Sequence, residues 1–246
     1  ALILFGVMTV AMWFIPVTST TAFGGMYENS TVCVAIKGIL NLGVFLVLLQ
    51  AVNWIDSEGA SIRKGELYEL LFTTLFGMYL MISARHFLLF IIGLETASLP
   101  LACMVAFNKN KYESREAAIK YIMTAVFSSA VLMMGLSLTY GLGNGSLYFQ
   151  DLATTIVSGE ANFGLIVALA FVIAGFGFKL SLVPFHLWTA DVYQGAPTAV
   201  TSYLSVISKG AAAFAILVCL CQVFGQVYSN IWEWMMYGLI IATITI

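Results

Sequence analysis

The chain has 246 residues, of which 61% are hydrophobic and only 9% charged, and its mean hydropathy is +0.98. A soluble domain is about a quarter charged, so this composition excludes an ordinary soluble protein. A net charge of −2 leaves no basic surface for nucleic acid.

The apolar blocks are too long and too unbroken for barrel strands. Helices satisfy their own backbone polar groups in lipid, so the predicted fold is all-α. It is a polytopic transmembrane bundle of about eight helices, read as one integral membrane domain over 1–246. The first segment spans about 1–17 and leads into a polar loop with Thr20, Thr21, Glu28 and Asn29. The second spans roughly 32–54, with Lys37 near enough to its start for snorkelling to account for it. A charged loop with Arg63, Lys64 and Glu66 follows. The third segment is about 67–84, and Arg85-His86 marks a tight connection to the fourth, about 87–107. Beyond the basic loop Lys109–Lys111 comes the fifth, about 115–141, then a glycine-containing loop over 141–162. The sixth starts near 163 and meets Pro184, with a short helical piece reaching Gln194. The seventh spans about 198–224, and the eighth begins near Trp232. The chain opens and stops inside apolar runs, so it reads as a piece of a longer protein.

Orientation follows from the Lys/Arg bias of the loops. Arg63, Lys64, Lys109, Lys111 and Arg115 fall on one side and only Arg85 on the other. The first side is predicted to be cytoplasmic, with Ala1 on it. Trp13, Trp54, Trp232 and Trp234 lie near segment ends, where interfacial aromatics belong.

Three ionisable residues sit deep in three separate segments: Glu95, Lys179 and Lys209. A charge at the bilayer centre costs roughly 2.5–3.5 kcal/mol on insertion scales. Glu95 is more than ~10 Å from either surface at 1.5 Å per residue, too far to snorkel. Pro100 follows five residues later and is predicted to bend that helix. Lys179 has Gly175 and Gly177 before it and Pro184 after it, which predicts a broken helix near Pro184. Interrupted helices at midplane line cavities in transporters. His186 lies just past the break, and imidazole exchanges protons near neutral pH. Lys209 is flanked by small residues that allow close helix approach. The bland alternatives are a static Glu95–Lys179 ion pair and a helix-end His186 bonded to a carbonyl. Glu116 and Lys120 are four apart and share a helix face, either as a surface pair or as part of a polar path. Asp191 is expected to cap or shape the turn after the break.

Cys33, Cys103, Cys219 and Cys221 all lie in apolar runs and read as buried, inert thiols. No iron–sulfur cysteine set, metal-ligand cluster or glycine-rich phosphate loop stands in the sequence.

The runs Gly93-Leu94-Glu95-Thr96-Ala97-Ser98-Leu99-Pro100-Leu101, Glu116-Ala117-Ala118-Ile119-Lys120-Tyr121, Gly177 to Trp188, and Asp191-Val192-Tyr193-Gln194-Gly195-Ala196-Pro197-Thr198 carry a resemblance. They look like subunit N of bacterial respiratory complex I, the proton-translocating NADH:quinone oxidoreductase. The resemblance covers about residue 60 to the end. The resemblance implies fourteen transmembrane helices with two inverted five-helix repeats, of which this chain would hold helices two to nine. The first repeat would lie within 67–224. It implies proton-path roles for Glu95, Lys179, Lys209 and His186, and for the Glu116/Lys120 pair. It implies multi-pass insertion in the bacterial inner membrane, lipid and other complex I membrane subunits as partners, and protons as cargo. No cofactor is expected in this chain. Flavin and iron–sulfur clusters would belong to partner subunits, and quinone to the complex as substrate. Two other readings fit the buried charges: a subunit of an Mrp-type sodium/proton antiporter, and a structural scaffold whose charges only fix helix register.

Overall fold

The computed structural model describes residues 2–14, 19–57, 64–158, 163–225 and 229–245. Ala1, Arg63 and the side chain of Trp232, used above for topology, lie outside the described residues. The described elements are α1 (Leu2–Phe14), β1 (Thr20–Ala22), β2 (Tyr27–Asn29), α2 (Thr31–Ser57), α3 (Lys64–Ile82), α4 (Phe87–Val105) and α5 (Tyr112–Leu142). They continue with α6 (Phe149–Ser158), α7 (Phe163–Leu180), α8 (Leu187–Gly195), α9 (Thr198–Phe224) and α10 (Ser229–Thr245).

The predicted all-α bundle is what the chain forms. Among the described residues, five helices are long and apolar enough to cross a membrane: Thr31–Val52, Phe87–Val105, Tyr112–Leu142, Phe163–Leu180 and Thr198–Phe224. The first, third and eighth predicted segments, now α1, α3 and α10, fall outside that set, α1 because its described helix has only 13 residues. Lys64, Glu66 and Glu69 dilute the apolar character of α3, and α10 has only 17 residues.

Two elements were not foreseen. The first polar loop contains the β1–β2 hairpin, in register Thr20 with Asn29 and Ala22 with Tyr27. The predicted loop over 141–162 contains α6, which buries Phe149, Leu152 and Ile156 on one side. That one-sided pattern repeats every three to four residues, but it is too short to register beside the long spans.

The tight turn between α3 and α4 organises the end of the bundle opposite the basic loops. Its residues bridge Tyr27 to Ala84 on one side and His86 to Tyr148 on the other. The hairpin, this turn and the segment before α6 thus form one small patch of paired backbone. Arg85 Nε adds a 2.7 Å ion pair to Glu28, and its Nη1 donates to Gln222 Oε1 at 3.3 Å. His86 is the N-cap of α4, and its Nδ1 accepts from the Leu88 amide at 3.0 Å.

Helix packing sets the site. The tightest neighbours are α3 with α4 and α5 with α7. A Cβ on Gly93 would lie 2.6 Å from the Met81 amide nitrogen, and one on Gly175 would lie 2.7 Å from the Leu132 Cβ. Only glycine permits these approaches, which draw the backbones flanking Glu95 and Lys179 toward their neighbours.

The helix α4 runs through Pro100 without ending. The helix α7 stops before Pro184. Ser181 takes φ +60°, its amide donates to Phe178 O at 3.0 Å, and the Leu182 amide donates to Gly177 O at 2.7 Å. This is a Schellman termination with serine in the left-handed position usually held by glycine. It places Lys179 in the last helical turn, where the helix dipole favours a cation. The chain resumes as α8.

Two expectations need correction. Lys37 does not snorkel to water. It is buried, and its Nζ donates to Tyr27 Oη at 2.9 Å and Asn29 Oδ1 at 3.0 Å, with the Tyr27 and Tyr79 rings 5.0 and 5.7 Å away. The hairpin supplies both acceptors of this cage and α3 its second ring, so a loop read only as polar could not reveal it. Nor are all four thiols buried: Cys33 and Cys219 are, while Cys103 and Cys221 lie on the exposed faces of their helices.

Candidate functional site: a charged cavity at the helix break

The helices α4, α5, α7, α8 and α9 enclose a cavity lined by both Lys179 and Lys209, with Ser98, Ser128, Ser129 and Ser208 among its polar walls. Its free volume is ≈ 20 Å³. About 10–15 Å³ suffices for one water, so the space that both lysines line suits a single water rather than a file of them. Leu94, Leu132, Phe178, Trp188 and Leu204 close the remaining walls.

Glu95 reaches this cavity through a neighbour. Ser129 on α5 lines the space and donates to Glu95 Oε1. Lys179 donates to Ser98 Oγ at 2.6 Å. Glu95 and Lys179 therefore form no ion pair: each is held by a serine hydroxyl, with the carboxylate still inside the electrostatic reach of the amine. The static-pair reading of the sequence does not describe this arrangement.

Lys209 begins the regular helix that follows a π-helical stretch, Tyr203–Ser208. Wide turns of this kind often mark functional positions because they leave backbone groups out of the regular ladder. The Lys209 ammonium lies 5.2 Å from the centre of the Tyr193 ring on α8. Among the described residues it makes no hydrogen bond or ion pair. Cation–π contact holds a cation weakly and without direction, so this amine keeps its donors free for the cavity.

His186 stands at the N-cap of α8, inside the break, with no capping bond from its side chain. Its Nδ1 is buried and has no partner among the described residues. It does not line the cavity shared by the two lysines. The carbonyl-bonded alternative is therefore not what Nδ1 does.

Glu116 and Lys120 do pair, with Nζ 2.8 Å from Oε1 and all three side chains of the cluster roughly half exposed. The third member is Asp191, whose Oδ2 lies 2.6 Å from Lys120 Nζ. Asp191 neither caps nor shapes its turn alone. It ties α8 to α5 at the end of the bundle where the basic loops lie. Tyr121, the next residue on α5, packs its ring 5.4 Å from Trp188 and belongs to the cavity wall.

Sequence reasoning missed the serines. Ser98 stands three residues after Glu95 and Ser208 immediately before Lys209. That spacing puts Ser98 on the Glu95 face of its helix, a signal that was legible but shared with many packing serines.

The family described as NADH:quinone oxidoreductase/Mrp antiporter, transmembrane, matches residues 84–246. The chain is 52% identical over 227 residues to an NADH-quinone oxidoreductase subunit N of Azobacteroides pseudotrichonymphae genomovar. CFP2, covering 92% of this chain and 46% of that protein. It is 50% identical over 226 residues to the subunit N of Phocaeicola vulgatus, covering 92% of this chain and 47% of that protein. The chain thus spans about half the length of these curated relatives. Among solved structures, respiratory complex I of Thermus thermophilus holds a chain with TM-score 0.72 and 31% identity, covering 88% of this chain and 46% of that one. An Mrp complex of Dietzia sp. DQ12-45-1b matches at TM-score 0.74 over 97% of this chain and 46% of the other, and at 18% identity it shares the fold alone. Apolar helices, a break beside a lysine in the bundle and the match over residues 84–246 converge on one conclusion: this chain is an integral membrane protein of the NADH:quinone oxidoreductase/Mrp antiporter transmembrane family.

Proposed function

We propose that the chain carries protons as part of an N-type subunit of NADH:quinone oxidoreductase, with electron transfer in partner subunits and other membrane subunits as neighbours. The observation that carries this reading is the shared cavity: Lys179 and Lys209 face one space sized for a single water. One water between two amines is the shortest bridge along which a proton can pass, and serine hydroxyls line it. Glu95 stands one hydroxyl away and biases the exchange by its charge. A carboxylate close to an amine favours the protonated form, and the amine releases its proton more readily when the carboxylate is farther off or neutralised. His186 is the relay next to the break, with a buried ring nitrogen that has no other partner among the described residues. Glu116, Lys120 and Asp191 form the charged mouth on the side of the basic loops, which this reading makes cytoplasmic. The first antiporter-like repeat occupies 67–224.

The energies are commensurate. Moving one charge against 100 mV costs about 2.3 kcal/mol, and a change of charge environment worth about two pKa units supplies roughly 2.7 kcal/mol. The relatives at 50–52% identity are named as subunit N, which favours this reading over an Mrp-type antiporter. The test is Lys179→Met in the complete, assembled complex. Quinone reduction that continues while proton pumping falls, or a joint loss of both, fits the proposal. Unchanged pumping with unchanged quinone reduction overturns it.

A further inference from the structure

The geometry points to Ser98 as the positioning residue that seats Lys179 away from Glu95 and so sets how readily that amine gives up its proton. This inference rests on the proton-carrying role proposed above.

The helix α4 presents two acceptors to the cavity region, Glu95 and, three residues later, Ser98. They are about 4.5 Å apart along the axis at 1.5 Å per residue and share a face. One acceptor is a carboxylate and the other a neutral hydroxyl. Lys179 is docked on the neutral one, at 2.6 Å. The carboxylate is turned to Ser129 on α5.

Ser98 is suited to this by how its own bonds are used. A hydroxyl has one proton and two lone pairs. The Ser98 proton is committed to Leu94 O at 2.6 Å, inside its own helix. The oxygen can therefore only accept from the cavity, and it cannot swing away without breaking that bond. Ser98 is buried, so water does not compete freely for the seat. Tyr121 on α5 lines the same cavity. The titratable groups around Lys179 are thus Glu95 on α4, Tyr121 on α5 and Lys209 on α9.

A flexible lysine stem spans a displacement of one helical turn. Seated on Ser98, the amine keeps a strong hydrogen bond but loses contact with the carboxylate. Seated on Glu95, it would be held as ammonium by direct pairing. The serine makes the unpaired position affordable, and without it the paired position would dominate. A hydrogen bond to a charged group is strong enough to move such a two-seat balance by about tenfold.

The experiment replaces Ser98 with Ala in the complete complex, reconstituted in liposomes, and follows proton pumping against pH. The alanine variant is expected to lose about tenfold in pumping at neutral pH and to move its optimum about one unit alkaline. Ser98→Thr, which keeps the hydroxyl, restores the profile. Adding Glu95→Gln to Ser98→Ala removes the competing carboxylate and returns the optimum toward its original place. If the alanine variant does not assemble, Ser98→Cys, with a weaker acceptor of similar size, is read in the same way. A pH profile unchanged in the alanine or cysteine variant overturns the inference, and so does a threonine variant that behaves like alanine. Lys179→Met run in parallel separates the two claims. If that variant pumps normally, the proton-carrying role fails. If it is inactive while Ser98→Ala keeps the native profile, only the seating role fails.

Discussion

Lys37 and Lys179 are both lysines inside apolar helices, and they are held in opposite ways. Lys37 sits in a finished cage: two oxygen acceptors from the hairpin within 3.0 Å and two tyrosine rings beside the charge. Its partners are all neutral. Lys179 has one hydroxyl at 2.6 Å, a second lysine lining the same water-sized cavity and a carboxylate within electrostatic reach. A buried charge in a membrane helix is costly in either case. What separates a structural pin from a transfer site is whether its donors are spoken for. A satisfied network rigidifies its surroundings, whereas a partly satisfied one keeps alternative arrangements close in energy.

The strongest way to break this comparison is to remove each amine in turn. Lys179→Met and Lys209→Met are expected to reduce proton pumping by an order of magnitude or more, roughly what loss of a proton-transfer group costs, with little change in assembly. Lys37→Met is expected to leave pumping per assembled complex near its native value. It leaves the Tyr27 hydroxyl and the Asn29 carbonyl without their cation, a loss of about 1–3 kcal/mol in stability, readable as a lower denaturation midpoint. Equal pumping losses in the Lys37 and Lys179 variants would erase the distinction.

A finer test is Tyr27→Phe. It deletes one of the two acceptors of Lys37 but leaves Asn29 and both rings, so stability should fall by about 0.5–1.5 kcal/mol. A fall as large as that of Lys37→Met would mean that the cage depends on Tyr27 alone.

The last expected effect, confined to acid pH, is at the hairpin end. Burial lowers the affinity of His86 for a proton below the ordinary histidine range. The neutral ring caps α4 through Nδ1, which accepts from Leu88. Protonation would fill that lone pair and break the cap. The contribution is therefore present above the ordinary histidine pKa of about 6.5 and is lost as pH falls below it through the lowered folded value. A cap is worth about 0.5–2 kcal/mol. His86→Asn, whose side chain caps at any pH, should flatten the acid limb of the stability curve. A limb unchanged by that substitution would remove His86 from the account.

The class of the fold was legible in the sequence because hydropathy and length act locally. An apolar run long enough to span lipid has helix as its solution wherever it sits, and the 198–224 segment coincides with α9 for that reason. The break was legible too, since Gly175, Gly177 and Pro184 disfavour a continuous helix on their own. Where the helix stops was not. Ser181 ends it three residues before the proline through a backbone motif that serine composition does not announce. The depth of Glu95, Lys179 and Lys209 could be counted from segment ends, yet what each one touches could not.

Sequence alone thus determined a helical membrane bundle, its interruption near residue 184 and three costly charges in its interior. Tertiary structure alone decided that Lys179 rests on Ser98, that Lys209 shares its cavity, that Asp191 joins Lys120, and that Lys37 is caged. Each of those contacts joins helices distant in the chain. Their geometry depends on how closely backbones approach at positions such as Gly93 and Gly175, and packing is a property of pairs of surfaces that no single segment encodes.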